Sequence, residues 1–132
     1  MRMPAIEGTI DRRLLVNFRI DAPVAARELP APFTPKLANG LAIAGICRLR
    51  LKHIRPACAL LPAVGASSEN AAHRYAVQWR DGEAVREGVY IPRRDTSSRL
   101  NALVGGSLFP GEHHHARFNV SEQGDRYEVN CS

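Results

Sequence analysis

The chain has 132 residues, of which 45% are hydrophobic and 23% are charged, and this composition indicates one folded domain with a single core. It contains no apolar run near the roughly 20 residues that span a membrane and no signal-peptide core, so we expect a cytoplasmic protein without a membrane partner. The net charge of +5 comes mostly from arginines scattered along the chain, which favours a solvated basic surface and no nucleic-acid partner.

The first predicted elements are a strand and a short helix. Strict alternation predicts a half-buried strand over residues 14–20, with these side chains on one face: Leu14, Val16, Phe18 and Ile20. Asp21 is predicted to cap a helix over residues 24–29, which ends before a proline-rich, extended connection.

The clearest predicted strand covers residues 41–53. One face carries Leu41, Ile43, Cys47, Leu49 and Leu51, and the other carries Arg48, Arg50 and Lys52. Such a strand suits a curved antiparallel sheet, and Gly45 predicts a bend or bulge within it. Residues 55–68, which contain prolines and a glycine, are predicted to form a loop.

Two predicted hairpins follow. Alternation over residues 73–80 predicts a strand, the Asp81-Gly82 pair predicts a tight turn, and residues 85–91 return as the partner strand. A second hairpin is predicted from residues 116–120 and 126–131, joined by a glycine-containing turn. Because the chain ends almost inside that last strand, we expect a truncated or partner-completed barrel, and therefore a homo-oligomer.

The three cysteines are odd in number and lack the CxxC spacing of zinc sites, which argues against structural disulfides and a zinc finger. Cys47 lies in an apolar strand pattern and is expected to be buried. Cys58 lies in a predicted loop, and no local motif places a histidine beside it as a catalytic thiol needs. We expect no cofactor.

The strongest candidate site is the segment Ile91-Pro92-Arg93-Arg94-Asp95, where a strand is predicted to end at Pro92. Apolar residues at helical spacing predict a helix over residues 96–104, capped by Asp95. Two guanidinium groups beside a helix N-terminus suit a carboxylate or phosphate, which arginine binds in bidentate fashion. The alternative is that the arginines pair with Asp95 or Glu87.

Polar residues before and at the start of the next strand form a second candidate group. Glu69, Asn70 and His73 bring a carboxylate, a carboxamide and an imidazole within five residues and are suited to line a pocket. The alternative is a polar loop with solvated side chains. His73 lies on the apolar side of its strand, so a hydrogen-bonded core histidine is the alternative to a catalytic one.

The third candidate is His113-His114-His115. His113 and His115 share one strand face, a spacing that can hold a metal, but a metal site needs at least a third ligand. Glu112 is adjacent, and no second cluster has matching spacing. We therefore expect no metal here and prefer hydrogen-bonded side chains at the start of a strand.

Four segments together carry a family resemblance: Phe18-Arg19-Ile20-Asp21 through to Pro32-Phe33, Ser68-Glu69-Asn70-Ala71-Ala72-His73-Arg74, Tyr90-Ile91-Pro92-Arg93-Arg94-Asp95-Thr96-Ser97 and Pro110-Gly111-Glu112-His113-His114. They resemble the uncharacterised YqjF-like family, which itself resembles a distant branch of the acetoacetate decarboxylase-like superfamily. The resemblance covers nearly the whole chain. Family members are typically longer, so we expect the chain to be their N-terminal portion.

The resemblance implies a single mainly β (α+β) domain over residues 1–132, a curved antiparallel sheet or β-barrel with one or two helices. In acetoacetate decarboxylase the corresponding strand ends in an aromatic residue, a proline and two lysines, one of which forms a Schiff base with the keto acid. The matching positions here are Ile91-Pro92-Arg93-Arg94. Arginine stays protonated and cannot be the amine nucleophile, so we expect no Schiff-base decarboxylase.

We therefore expect a protein that binds a small carboxylate-bearing molecule in the barrel. The residues expected to bind it are Arg93, Arg94, Glu69, Asn70 and His73. Whether a reaction follows stays open. The alternative is a non-catalytic interaction module that oligomerises through strand edges.

Overall fold

The computed structural model describes residues 6–56, 66–99 and 112–132. Most of these residues lie in strands, which confirms the predicted mainly β class. The elements are β1 (Ile6–Ile20), α1 (Ala22–Glu28), β2 (Thr34–Pro35), β3 (Leu37–Ala38), β4 (Leu41–Pro56), β5 (Ala66–Asp81), β6 (Ala84–Thr96), β7 (Glu112–His115), β8 (Phe118–Gln123) and β9 (Arg126–Cys131). No helix in the described ranges is long and apolar enough to cross a membrane.

The strands form one large sheet and a separate hairpin. The order in the large sheet is β1-β4-β5-β6-β7, with β2 paired to β5 and β3 paired to β4. The sheet is mixed, because β7 runs parallel to β6 while the other pairs are antiparallel. Since β1 and β7 lie at opposite ends, the described strands form an open sheet and not a closed barrel, in which the two edge strands pair with each other.

The central strands are longer than the sequence pattern predicted. β5 begins at Ala66, so residues 66–68, which were predicted to lie in a loop, extend the strand and pair with β4. This pairing outweighs the low strand propensity of their polar side chains. β6 continues past Pro92 because the strand contains an extra residue between Tyr90 and Arg93, and proline is tolerated at such a bulge.

The helix and the turns are close to their predictions. α1 follows Asp21, whose backbone carbonyl accepts hydrogen bonds from the helix although its side chain makes no capping bond. Gly82 and Gly124 adopt positive φ in the two predicted hairpin turns, as glycine there permits. Asn39 and Gly40, both with positive φ, form a further tight turn between β3 and β4.

Cross-strand pairing defines two faces of the large sheet, because directly paired residues project to the same side. We call one of them the inner face. Three of its rows, read from β1 to β6, are Leu14-Arg48-Ala71-Asp95, Val16-Ile46-His73-Arg93 and Phe18-Ala44-Tyr75-Tyr90. The opposite, outer face carries Leu15, Cys47, Ala72 and Arg94.

Two structures cover parts of the inner face. At one end α1 packs against β4, and Phe33 contacts the rings of Trp79 and Tyr90 with centroid distances of 5.4 and 5.6 Å. At the other end the β8–β9 hairpin lies over the sheet, where Arg48 donates to the Val129 carbonyl. The inner-face rows between these two ends are therefore the part of the sheet open to a ligand.

The side chains of β1 share faces as the alternation predicts, but they are not divided into a buried and a solvated set. Val16 and Phe18 on the inner face are 48% and 54% exposed, and Leu15 on the outer face is 47% exposed. Cys47, in the neighbouring strand, is buried as predicted.

Gly45 does not mark a bulge, because its pairing with Asn17 lies in a regular part of the ladder. It permits a close approach of the two strands. A Cβ atom at this position would lie 2.4 Å from the backbone carbonyl oxygen of Val16 and 2.7 Å from Oδ1 of Asn17. A side chain there forces the β1 backbone to move.

We expect Gly45→Ala to lower the free energy of unfolding by about 1–3 kcal/mol, the usual cost of forcing atoms into a packed position. Urea unfolding followed by circular dichroism measures it. The double variant Asn17→Ala/Gly45→Ala should be no more stable, because the clash with the Val16 carbonyl remains. Recovery of stability in the double variant would place the clash on the Asn17 side chain instead.

Candidate functional site

A buried carboxylate on the inner face holds two exposed side chains, a guanidinium and an imidazole. Asp95 is 3% exposed. Its Oδ2 lies 3.1 Å from Nε2 of His73, and its Oδ1 lies 2.9 Å from Nε and 2.8 Å from Nη2 of Arg93. We call these three residues the Asp95 triad. Since a buried carboxylate is costly without partners, the triad is a paired unit and not a chance contact.

The sheet itself positions the triad. His73 and Arg93 lie directly opposite each other on β5 and β6, and Asp95 follows two residues later on the same face of β6. The side chains of Arg93 and His73 are 53% and 40% exposed. The hydrogen bond that Arg93 donates to Asp95 raises the pKa of Arg93, so this guanidinium stays charged. The triad therefore presents the guanidinium of Arg93 and the imidazole of His73 to solvent above a buried carboxylate.

The two adjacent arginines of the sequence-based prediction do not converge. They lie in a strand, where neighbouring side chains project to opposite faces. Arg94 lies on the outer face opposite Ala72, and burial lowers its pKa. Of the alternative partners considered, Asp95 does pair with Arg93, whereas Glu87 pairs with Lys36.

The predicted helix N-terminus does not begin where the sequence suggested. Asp95 and Thr96 are the last residues of β6, so Asp95 does not act as a helix cap there. The apolar positions at 100, 103 and 104, on which that helix was predicted, lie outside the described residues, and so does Cys58.

Glu69 and Asn70 also project to opposite faces. Asn70 lies on the outer side and donates to the backbone and hydroxyl oxygens of Ser68. Glu69 lies on the inner face between Arg12 and Arg50, at 2.7 and 2.6 Å. Of the five residues predicted to bind a ligand, the structure thus brings Arg93, His73 and Glu69 to one face.

Glu69 belongs to a larger group of charges that the sequence analysis missed. Arg12 and Arg50 lie opposite each other on β1 and β4, and Glu122 of the β8–β9 hairpin pairs with both. The Glu69 carboxylate raises the pKa of Arg50 through their hydrogen bond. We call Arg12, Arg50, Glu69 and Glu122 the ion-pair cluster. It attaches the hairpin to the inner face.

Cys131, at the end of β9, lies close enough to the triad to be affected by its charge. Burial raises the pKa of this thiol, and the Asp95 carboxylate raises it further. Arg48 and Arg93 oppose this with smaller effects. The thiol therefore stays protonated at neutral pH, which does not favour a nucleophilic role.

We expect alkylation of Cys131 by iodoacetamide to follow a pH profile displaced upward from that of a free thiol, because only the thiolate reacts. Peptide-level mass spectrometry between about pH 7 and pH 10 measures the profile. A synthetic peptide covering residues 127–132 is the control. A midpoint equal to or below that of the peptide would contradict the effect of burial and of Asp95.

The histidine segment forms β7, parallel to β6. His113 and His115 are two residues apart in this strand and share a face, while His114 lies 3.4 Å from Glu112. Within the described ranges no group of three or more His, Cys, Asp or Glu side chains is arranged to hold a metal ion.

A surface depression of about 170 Å³ lies elsewhere, on the β8–β9 hairpin between Ser121, Gln123, Arg126 and Glu128. None of the five predicted binding residues lines it. Its position on an exposed hairpin makes it a poorer site than the triad, which has a buried carboxylate and fixed donors.

Comparisons with known proteins give one match. The model of the family DUF2071, described as "Uncharacterized conserved protein (COG2071)", matches residues 8–132. No curated protein matches the chain. No solved structure matches it either.

Proposed function

We propose that this chain, which belongs to the DUF2071 family, binds a small carboxylate-bearing molecule on its inner face through Arg93 and His73. The family membership confirms the YqjF-like resemblance drawn from the sequence. It assigns no activity, since the family is described as uncharacterised. The proposal therefore depends on the site itself.

One observation supports the proposal most: a buried carboxylate orients the exposed guanidinium of Arg93 and the exposed imidazole beside it. Asp95 accepts from both Arg93 and His73, which fixes their side chains before a ligand arrives. Fixed donors lose less conformational entropy on binding than free ones. A guanidinium has five N–H donors, so binding to Asp95 leaves donors for a second oxyanion. Guanidinium groups match carboxylates in bidentate geometry.

The proposal keeps fewer of the five residues that the sequence suggested. A ligand on the inner face meets Arg93 and His73, whereas Arg94 and Asn70 project to the outer face. Glu69, held within the ion-pair cluster, borders the site but carries the wrong charge to bind an anion.

The test is a thermal-shift screen with short keto acids, hydroxy acids and inorganic phosphate on three proteins: wild type, Arg93→Gln and Arg94→Gln. A ligand at about 100 times its Kd stabilises the folded state by about 2.7 kcal/mol, a measurable rise in Tm. We expect the rise in wild type and Arg94→Gln and its loss in Arg93→Gln. Equal loss in both variants would support the pair of adjacent arginines, and no rise with any compound rejects the function.

An acetoacetate decarboxylase-like fold and a cytoplasmic location stay predictions. A Schiff-base reaction is not part of the proposal. Lys36 lies 2.5 Å from Glu87 and Lys52 lies 3.0 Å from Asp11, so both lysines of the chain are engaged in ion pairs.

A second candidate function is self-association through β1. This strand is at the edge of the large sheet, and β4 is its strand partner within the described residues. An edge strand with half-exposed Leu15, Val16 and Phe18 can pair with another copy of itself. Light scattering after gel filtration tests this: a dimer that Leu15→Lys converts to a monomer supports it, and a monomeric wild type rejects it.

A further inference from the structure

The inner-face row that contains the triad continues as an apolar surface. His73 pairs with Ile46 of β4, and Ile46 pairs with Val16 of β1, so one straight row runs from Arg93 to Val16. Its β6 and β5 members are cationic or polar, and its β4 and β1 members are aliphatic. Val16 is 48% exposed, which leaves the aliphatic end of the row accessible.

This row is bordered on both sides. On one side lies the row of Arg48 and Asp95, next to which the β8–β9 hairpin is attached. On the other side lies the row of Tyr75 and Tyr90, and Tyr90 packs against Phe33. The sheet therefore forms the floor of a groove, with the hairpin and the aromatic group as its borders.

We propose that the groove binds a monocarboxylic acid with an unbranched apolar chain, the carboxylate at Arg93 and His73 and the chain across Ile46 and Val16. The inference rests on the proposed function, because the triad supplies the oxyanion site. The chemistry of the row favours this occupant: the Arg93 guanidinium and its imidazole neighbour at one end, and aliphatic side chains at the other, complement an acid with an apolar tail.

The spacing of the strands sets the expected length of the ligand's apolar chain. Neighbouring strands lie about 4.8 Å apart, so the row extends about 10 Å from His73 to Val16. An extended chain of about eight carbons covers this distance. Each methylene placed on the aliphatic floor should tighten binding by about two- to fourfold, less than full burial provides because the groove is open above.

The experiment is calorimetry with butanoate, hexanoate and octanoate on wild type, Val16→Thr and Leu15→Thr. Threonine nearly preserves the shape of valine but has a hydroxyl group in place of one methyl group. Leu15 is the matched control, since it is next to Val16 in β1, equally exposed and on the outer face. We expect affinity to rise with chain length in wild type and Leu15→Thr, and a flatter dependence in Val16→Thr.

The outcomes separate the two proposals. If no acid binds, both fail. If butanoate and octanoate bind equally well and Arg93→Gln weakens both, the oxyanion site stands and the apolar groove is rejected. If the dependence on length changes equally in Leu15→Thr and Val16→Thr, the tail does not lie on the inner face. The wild type could also form a dimer through β1 that stays intact when octanoate is added. That result would assign the aliphatic row to a second copy and overturn the inference.

Discussion

Glu69→Ala should lower the free energy of unfolding by about 2–4 kcal/mol, which makes it the most destabilising single substitution we expect in the sheet. The side chains of Glu69 and Arg12 are 14% and 8% exposed, so removing the carboxylate leaves a guanidinium that water reaches poorly. Arg50 also loses the Glu69 carboxylate, whose hydrogen bond raises its pKa. Two facing arginines then repel each other across β1 and β4.

The control is Glu122→Ala. Glu122 contacts the same two arginines, but its side chain is 37% exposed, and exposed pairs contribute at most about 1 kcal/mol. Urea unfolding of both variants gives the comparison. Similar losses of stability in the two variants would mean that the number of carboxylates beside the two arginines matters more than how deeply each carboxylate is buried. A third variant, Glu69→Gln, keeps the shape and isolates the loss of charge.

The order and type of the strands were largely predictable from the sequence, because alternation and glycine turns are local features. The strand over residues 14–20, the turn at Gly82 and the last hairpin are all present. The Asn39-Gly40 turn was equally local and was missed, although this dipeptide is typical of tight hairpin turns. Its neighbour β3 is two residues long, too short to show alternation.

The bulge in β6 explains why the site was only partly predictable. Strict alternation from Tyr90 puts Arg94 on the inner face, but the extra residue near Pro92 puts Arg93 there instead. Arg12 lies on the same face as Leu14, as alternation along β1 requires, and it was missed because its charged partners lie on other strands. Which residue bulges depends on the partner strands, so the single-strand pattern cannot show it.

The sequence pattern also could not show which residues on other strands become partners of a given side chain. Asp95 was interpreted as a helix cap from its place before Thr96-Ser97-Ser98, a reasonable local pattern. Its actual role depends on β5, because His73 reaches it from the neighbouring strand. One of the hypothesised pairings, that of Arg93 with Asp95, proved to be present, and it became part of the candidate site.

The second large effect is expected from Asp95→Asn, because two opposing physical effects act on anion binding at the triad. Electrostatics alone predicts tighter binding of octanoate, since the substitution removes a negative charge from beside Arg93. Loss of positioning predicts weaker binding, because Asp95 is what fixes Arg93 and His73. We expect positioning to dominate and the Kd of octanoate to rise about tenfold, the usual consequence of releasing an oriented donor.

A separate readout shows whether the charge has been removed without unfolding the site. Because the Asp95 carboxylate raises the pKa of Cys131, its loss should lower that pKa and speed alkylation of the thiol near pH 8. Faster alkylation together with weaker octanoate binding is the expected combination. Faster alkylation with tighter binding would show that Asp95 opposes the ligand by its charge, and the triad would then be a structural ion pair. Arg93→Gln/Asp95→Asn completes the cycle, since the Asp95 effect on binding should vanish once Arg93 is absent.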